Sequence, residues 1–215
     1  MDGISKRGKQ KFFALETGFV VKILSISDVF MISGLGLISP IFAIYITNNI
    51  KGAGVEVVGI AWMIYLLTKS LGQLITGQMI DRIKGEKDDF WAMVTGAFGA
   101  SLVPIFYIFA RTPFHIYLIQ FFYGISQALA FPAWMAIFTR HINPERQGME
   151  WSIYYTMVDF SGAAMVGLGG IIASSLGFKP LFLGVSLLSF LGSSWLFLIR
   201  SHLKGARVMK KKQKV

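Results

Sequence analysis

Six stretches of the chain, near residues 23–46, 57–80, 90–110, 114–138, 149–176 and 180–199, are each apolar over at least 20 residues. A helix rises 1.5 Å per residue and the hydrocarbon core of a bilayer is about 30 Å thick, so about 20 apolar residues make one crossing. In lipid the backbone must satisfy its own polar groups, which restricts such segments to helices. The pattern therefore predicts an all-α membrane protein with six transmembrane helices. Composition agrees: 54% of the 215 residues are hydrophobic and 15% are charged, where a soluble domain carries about 25% charged residues. A soluble enzyme, a nucleic-acid-binding domain and a disordered chain are excluded on that ground. So is a twelve-helix bundle, for which 215 residues are too few.

Charge sets the expected orientation. With both ends in the cytoplasm, seventeen of the 21 Lys and Arg residues fall inside, Lys51, Arg111 and Lys179 fall outside, and Lys69 lies within a helix. The excess of inside cations is the positive-inside pattern. Trp91, Trp134, Trp151 and Trp195 fall near the cytoplasmic ends, as an interfacial aromatic belt would place them. The expected organisation is a basic cytoplasmic tail (1–22), a six-helix unit (23–199) and a second basic cytoplasmic tail (200–215). The net charge of +10 then reads as affinity for anionic lipid headgroups, not for nucleic acid. A multi-pass location in the plasma membrane is expected.

The chain also repeats itself. Gly59, Trp62, Ile64 and Tyr65 open the second segment with the spacing of Gly148, Trp151, Ile153 and Tyr154 in the fifth, 89 residues later. Segments one and four each carry a glycine upstream of a proline, Gly34 with Pro40 and Gly124 with Pro132. Three spans are an odd number, so a three-helix unit used twice (about 23–110 and 114–199) is inverted in its second copy, as in many secondary transporters.

The second segment ends in Gly77-Gln-Met-Ile-Asp81-Arg82-Ile-Lys84-Gly85-Glu86-Lys87. This resembles the loop 2–3 signature of the major facilitator superfamily, G-x-x-x-D-[RK]-x-G-[RK]-[RK]. Leu35 to Pro40 is similar to that family's helix-one glycine–proline run, Asn143 to Gly148 to its loop 4–5, and Gly169 to Phe182 to its passage from helix five to six. The resemblance covers nearly the whole chain and matches the N-terminal six-helix half of a member. Departures are Lys84 inserted before Gly85, Glu86 in place of a basic residue, Gln120 where proton-coupled members have an arginine, and Met165-Val166 where antiporters have Gly-Pro. They argue against drug/proton antiport as the specific activity.

The resemblance implies a secondary transporter of small molecules working by alternating access. It implies a gating motif of Gly77, Asp81, Arg82, Lys84, Gly85 and Lys87, in which Asp81 faces a helix N-terminus in the opposing half. A second copy of the chain would supply that half, with Asp81 meeting the start of helix five near Gly148 and Glu150. The alternative is a non-transporting interaction module, or the isolated N-terminal half of a longer carrier.

Three ionisable residues fall inside predicted spans: Asp28, Lys69 and Asp159. A charge at the centre of a membrane helix costs about 2.5–3.5 kcal/mol even on the lenient insertion scale, so it faces a partner or a cavity. Lys69 and Asp159 sit at matched depth on helices two and five. The resemblance places those helices at opposite ends of the interface between halves, which implies an intersubunit pair formed twice across a two-fold axis; the alternative is separate pairing of each with backbone or water. Asp28 and Asp159 are the candidate coupling groups if transport is proton-driven. Gln120, Tyr45 and Tyr123 are the candidate cavity-lining residues. The chain has no cysteine, and His115, His141 and His202 form no ligand cluster. No cofactor, metal site or enzymatic activity is expected.

Overall fold

A computed structural model describes residues 18–38, 41–83 and 85–203 of the chain. Among these described residues seven α-helices follow in order: α1 (Phe19–Ile38), α2 (Phe42–Asn49), α3 (Val55–Arg82), α4 (Lys87–Phe109), α5 (Pro113–His141), α6 (Gln147–Leu176) and α7 (Phe178–Trp195). A 3₁₀ segment, Leu196–His202, prolongs α7. Among the described residues there is no strand. The first predicted span, 23–46, is described as two helices, with Ser39 and Pro40 between them outside the described residues. Proline lacks an amide hydrogen and disfavours helix at the residue before it, which suits a boundary at this point of the sequence. Most of the two basic tails, 1–17 and 204–215, also lies outside the described residues.

Helix ends follow local chemistry. Pro113 stands at the first turn of α5, where its missing amide costs nothing. Asp88 and Asp89 occupy the first turn of α4, where the helix dipole favours anions. The junction of α6 and α7 is a single residue, Gly177, at φ 82°; a side chain there would be strained.

Among the described residues five elements are long and apolar enough to cross a membrane: α3, α4, α5, α6 and α7 with its 3₁₀ extension. The helices pack in a definite order, α3 on α5, α5 on α4, α4 on α7, α7 on α1 and α1 on α6. A lighter contact between α1 and α5 closes α1, α5, α4 and α7 into a ring, leaving α3 and α6 as flanking helices. Lipid is as apolar as leucine, so small residues and interhelical hydrogen bonds hold such seams. Ser27 Oγ donates to the Gly192 carbonyl between α1 and α7 at 2.6 Å, and Ser186 Oγ to the Ser101 carbonyl between α7 and α4 at 2.6 Å. Two buried apolar clusters fill the ring. One is built around Tyr45, Tyr107, Tyr123 and Phe182, the other around Phe90, Met93, Phe138 and Leu196. Trp134, expected in an interfacial belt, belongs to the second cluster and stacks on Phe138 at 4.7 Å.

Candidate functional site

The gating motif lies at the α3–α4 turn. Gly77 is half-buried, Asp81 and Arg82 are exposed at the last turn of α3, and Lys87 is exposed at the start of α4. Lys84 lies outside the described residues. Gly85 is buried at φ 142°, a backbone setting that a side chain rarely adopts. Among the described residues neither Asp81 nor Arg82 makes an ion pair.

Buried charges stand in the motif itself and just beyond it, and of these the sequence reading did not single out Asp89. Asp89 of α4 pairs with Arg140 at the end of α5, and the aspartate is fully buried. Beside them Glu86 is fully buried, with its Oε1 3.8 Å from His141 Nδ1. The His141 Nδ1 lies 2.9 Å from the Ile137 carbonyl; since a carbonyl only accepts, Nδ1 carries the hydrogen. Glu150, in the first turn of α6, is buried and accepts from the Asn143 amide at 3.3 Å. Its position follows from the helix dipole. The signal available in the sequence was the doubled acid Asp88-Asp89 at a helix start facing the Arg140-His141 pair at another helix end.

Inside the bundle, Asp28 accepts a hydrogen bond from the Tyr154 hydroxyl of α6, a residue that the sequence marks only as part of the repeat. The carboxylate lines a cavity of about 140 Å³ with Ser27, Gln127, Phe131, Trp134 and Tyr154. Lys69 lies over the ring of Phe131, 4.7 Å from its centroid, and 5.9 Å from that of Tyr65. A cation over an aromatic face is attracted by the ring quadrupole, which offsets part of the cost of its depth. Asp159 is exposed on α6. Lys69 and Asp159 stand on the two flanking helices, and among the described residues of one chain they do not pair.

A second cavity, about 310 Å³, opens nearer the α2–α3 end. Gln120 and Tyr123 line it with Phe42, Trp62, Val103 and Tyr107. Gln120 is 2% exposed and its Oε1 has no hydrogen-bond partner. Tyr45 is not among the lining residues; it is buried in the first cluster and donates its hydroxyl to the Tyr107 carbonyl. Trp62 and Tyr65, which sequence reading noted only as part of a repeat, form a stack with Tyr123. Trp62 lies on Tyr65 at 5.0 Å and 15°, and Tyr65 on Tyr123 at 4.6 Å and 16°.

A family model described as Major Facilitator Superfamily matches residues 24–214. The chain is 26% identical over 163 residues to the aminotriazole resistance protein of Saccharomyces cerevisiae, an alignment covering 69% of this chain and 30% of that protein. The chain thus spans under a third of the length of the curated relative it matches.

Proposed function

Because this chain belongs to the Major Facilitator Superfamily, a family of transporters and not of enzymes, we propose that it is one half of a secondary transporter of small molecules. Membership and its five long apolar helices make it an integral, multi-pass membrane protein. In the proposal α1 with α2 form a sixth span, and the face framed by α3 and α6 meets a second six-helix bundle. The pathway runs between the two, opened alternately to each side by rocking. A second copy of the chain supplies the opposing bundle.

The observation that carries this reading is the uneven burial of equally apolar helices. Only 17% of the apolar stretch of α3 and 11% of that of α6 is buried, against 44% to 50% for α4, α5 and α7. The two bare helices carry Lys69 and Asp159. A two-fold axis between copies would set each lysine against the other copy's aspartate.

The packing order supports an inverted repeat. Exchanging α1 with α5, α3 with α6 and α4 with α7 leaves the sequence of contacts α3–α5–α4–α7–α1–α6 unchanged apart from direction. The repeated tyrosines obey the same exchange, Tyr65 of α3 meeting Tyr123 of α5 and Tyr154 of α6 meeting Asp28 of α1. Asp28, reached through a cavity and held by one hydroxyl, is the group to which we assign coupling by protonation. Asp81 is exposed and free to engage the opposing bundle at its α6 N-terminus. Both termini are assigned to the cytoplasm by loop charge, and the basic tails to anionic headgroups.

The test is single-molecule photobleaching of the chain in liposomes, combined with uptake of labelled small solutes. Two-step bleaching with saturable uptake that Asp28→Asn abolishes is the expected result. Single-step bleaching without saturable uptake overturns the reading. The low coverage of the relative favours a second reading, in which the opposing bundle belongs to a longer polypeptide or the chain is a non-transporting interaction module. A monomer that gains uptake only when a second bundle is co-expressed selects the longer polypeptide.

A further inference from the structure

We infer that the cavity between α2, α3, α4 and α5 binds an uncharged planar aromatic solute through a ring stack and one hydrogen bond donated by the solute to Gln120. The inference rests on the transporter reading for its biological meaning and names the chemical class that this cavity would take.

The hydrogen-bond requirement comes from Gln120. Its side chain is 98% removed from solvent, it lines the cavity, and its Oε1 has no partner. A buried acceptor left unpaired costs about 1–3 kcal/mol, which a solute N–H or O–H in the cavity would recover. Among the described residues no backbone or side-chain donor meets that oxygen. The hydroxyl of Tyr123, which also lines the cavity, lies instead against Gln127, accepting from its Nε2 at 3.3 Å.

Planarity comes from the aromatic wall. Trp62, Tyr65 and Tyr123 form a near-parallel ladder with successive planes 15° and 16° apart. Trp62 ends the ladder, is 52% exposed and lines the cavity. A flat ring is the shape that extends such a stack, and aromatic pairs add about 0.5–1.5 kcal/mol beyond area burial. Size and charge follow from the lining. A cavity of 150 Å³ admits a benzene-sized group, so about 310 Å³ admits a fused two-ring solute. The lining, which includes Ile38, Phe42, Val58, Val103 and Pro104, carries no carboxylate, ammonium, guanidinium or imidazole to hold an ion, and desolvating an ion there would be costly. The Asp28 cavity, with its carboxylate, is the place for charge.

The test uses benzimidazole, a neutral two-ring planar N–H donor near pH 7.5, and 1-methylbenzimidazole, which keeps the ring and loses the donor. Binding to the full chain in nanodiscs is read by saturation-transfer NMR against empty nanodiscs. Benzimidazole should bind about tenfold tighter than its methylated form, the worth of one hydrogen bond. Gln120→Leu, close in volume, should erase that preference, and Trp62→Ala should weaken both probes alike. Equal affinity of the two probes, a preference that survives Gln120→Leu, or binding of neither probe overturns the inference. Where Gln120→Leu does not assemble, the wild-type preference alone decides. Because binding is read without transport, a chain that binds as stated and moves nothing sinks the transporter reading alone. A chain that transports other solutes and ignores both probes sinks this inference alone.

Discussion

α6 and α7 follow each other across one glycine and both are apolar enough to cross a membrane, yet 11% of the apolar stretch of α6 is buried against 44% of that of α7. The difference is not one of hydrophobicity, since the mean hydropathies of the two stretches are 1.5 and 1.9. Hydropathy reports which solvent a helix tolerates; what it packs against is decided by where small residues let another backbone approach. α7 offers Gly192 to Ser27 and Phe30 of α1, and Ser186 to Ser101 of α4, on two sides. Of its glycines α6 offers α1 one close approach, at Gly169 beside the Leu37 backbone, while its next residue Gly170 meets nothing within 4 Å. α3 is bare for another reason: its close approaches, at Gly72 beside Ala128 and opposite Gly124, both go to α5, so one side is packed and 17% of its apolar stretch is buried.

Breaking the charge pair of the inner helices should produce the largest loss. Arg140→Ala leaves the Asp89 carboxylate buried and unpaired, and removing one partner of a buried pair costs about 3–5 kcal/mol. Thermal unfolding in detergent should show a large fall, and Asp81→Asn, at an exposed site on a flanking helix, should change stability by less than about 0.5 kcal/mol. Equal effects would erase the distinction between inner and flanking positions.

Next comes the seam that holds α6. Gly169→Ala forces a methyl against the Leu37 backbone, and overpacking of this kind costs about 1–3 kcal/mol. Gly170→Ala should be neutral or slightly stabilising, since alanine is the better helix former by about 1 kcal/mol. Melting curves of the two neighbours check the pair. Loss at both would mean that the bare face of α6 is covered within one chain.

A smaller effect should appear in association. Asp159→Lys sets like charges against Lys69 of the second copy and should weaken self-association about tenfold without altering the unfolding of the bundle; Lys69→Asp in the same chain should restore it. Dilution measurements by fluorescence transfer in bilayers report both.

Much of this architecture is legible in the sequence because lipid imposes one rule on every span. The stretches at 57–80, 114–138 and 149–176 fall within α3, α5 and α6, since a run of about 20 apolar residues has few other outcomes. The division of the first span into α1 and α2 was not read, although Pro40 stood in the run. At the candidate site the sequence singled out single residues; of these Asp28 borders one cavity and Gln120 and Tyr123 another. What it could not supply were partners: Tyr154 is 126 residues from Asp28, and Arg140 is 51 from Asp89. Such pairs depend on which helices become neighbours, and apolar runs of similar hydropathy carry little information about that. The motif singles out Asp81, which is exposed, and takes Glu86 as a departure from its pattern and Glu150 as a gate partner, but nothing in the sequence marks Glu86, Asp89 and Glu150 as buried.

The central claim is that the bare faces of α3 and α6 meet a second bundle. The chain contains no cysteine, so a pair of cysteines introduced by Lys69→Cys and Asp159→Cys, one in each of two co-expressed copies, reports on that contact alone. A disulfide closes only when the two Cα atoms come within about 7 Å. Mild oxidation in intact membranes should convert most of the protein into a covalent dimer carrying both substitutions, with far less product when Asp159→Cys is replaced by Gly184→Cys on α7. Monomer throughout, or equal yield from the α7 position, would contradict the account.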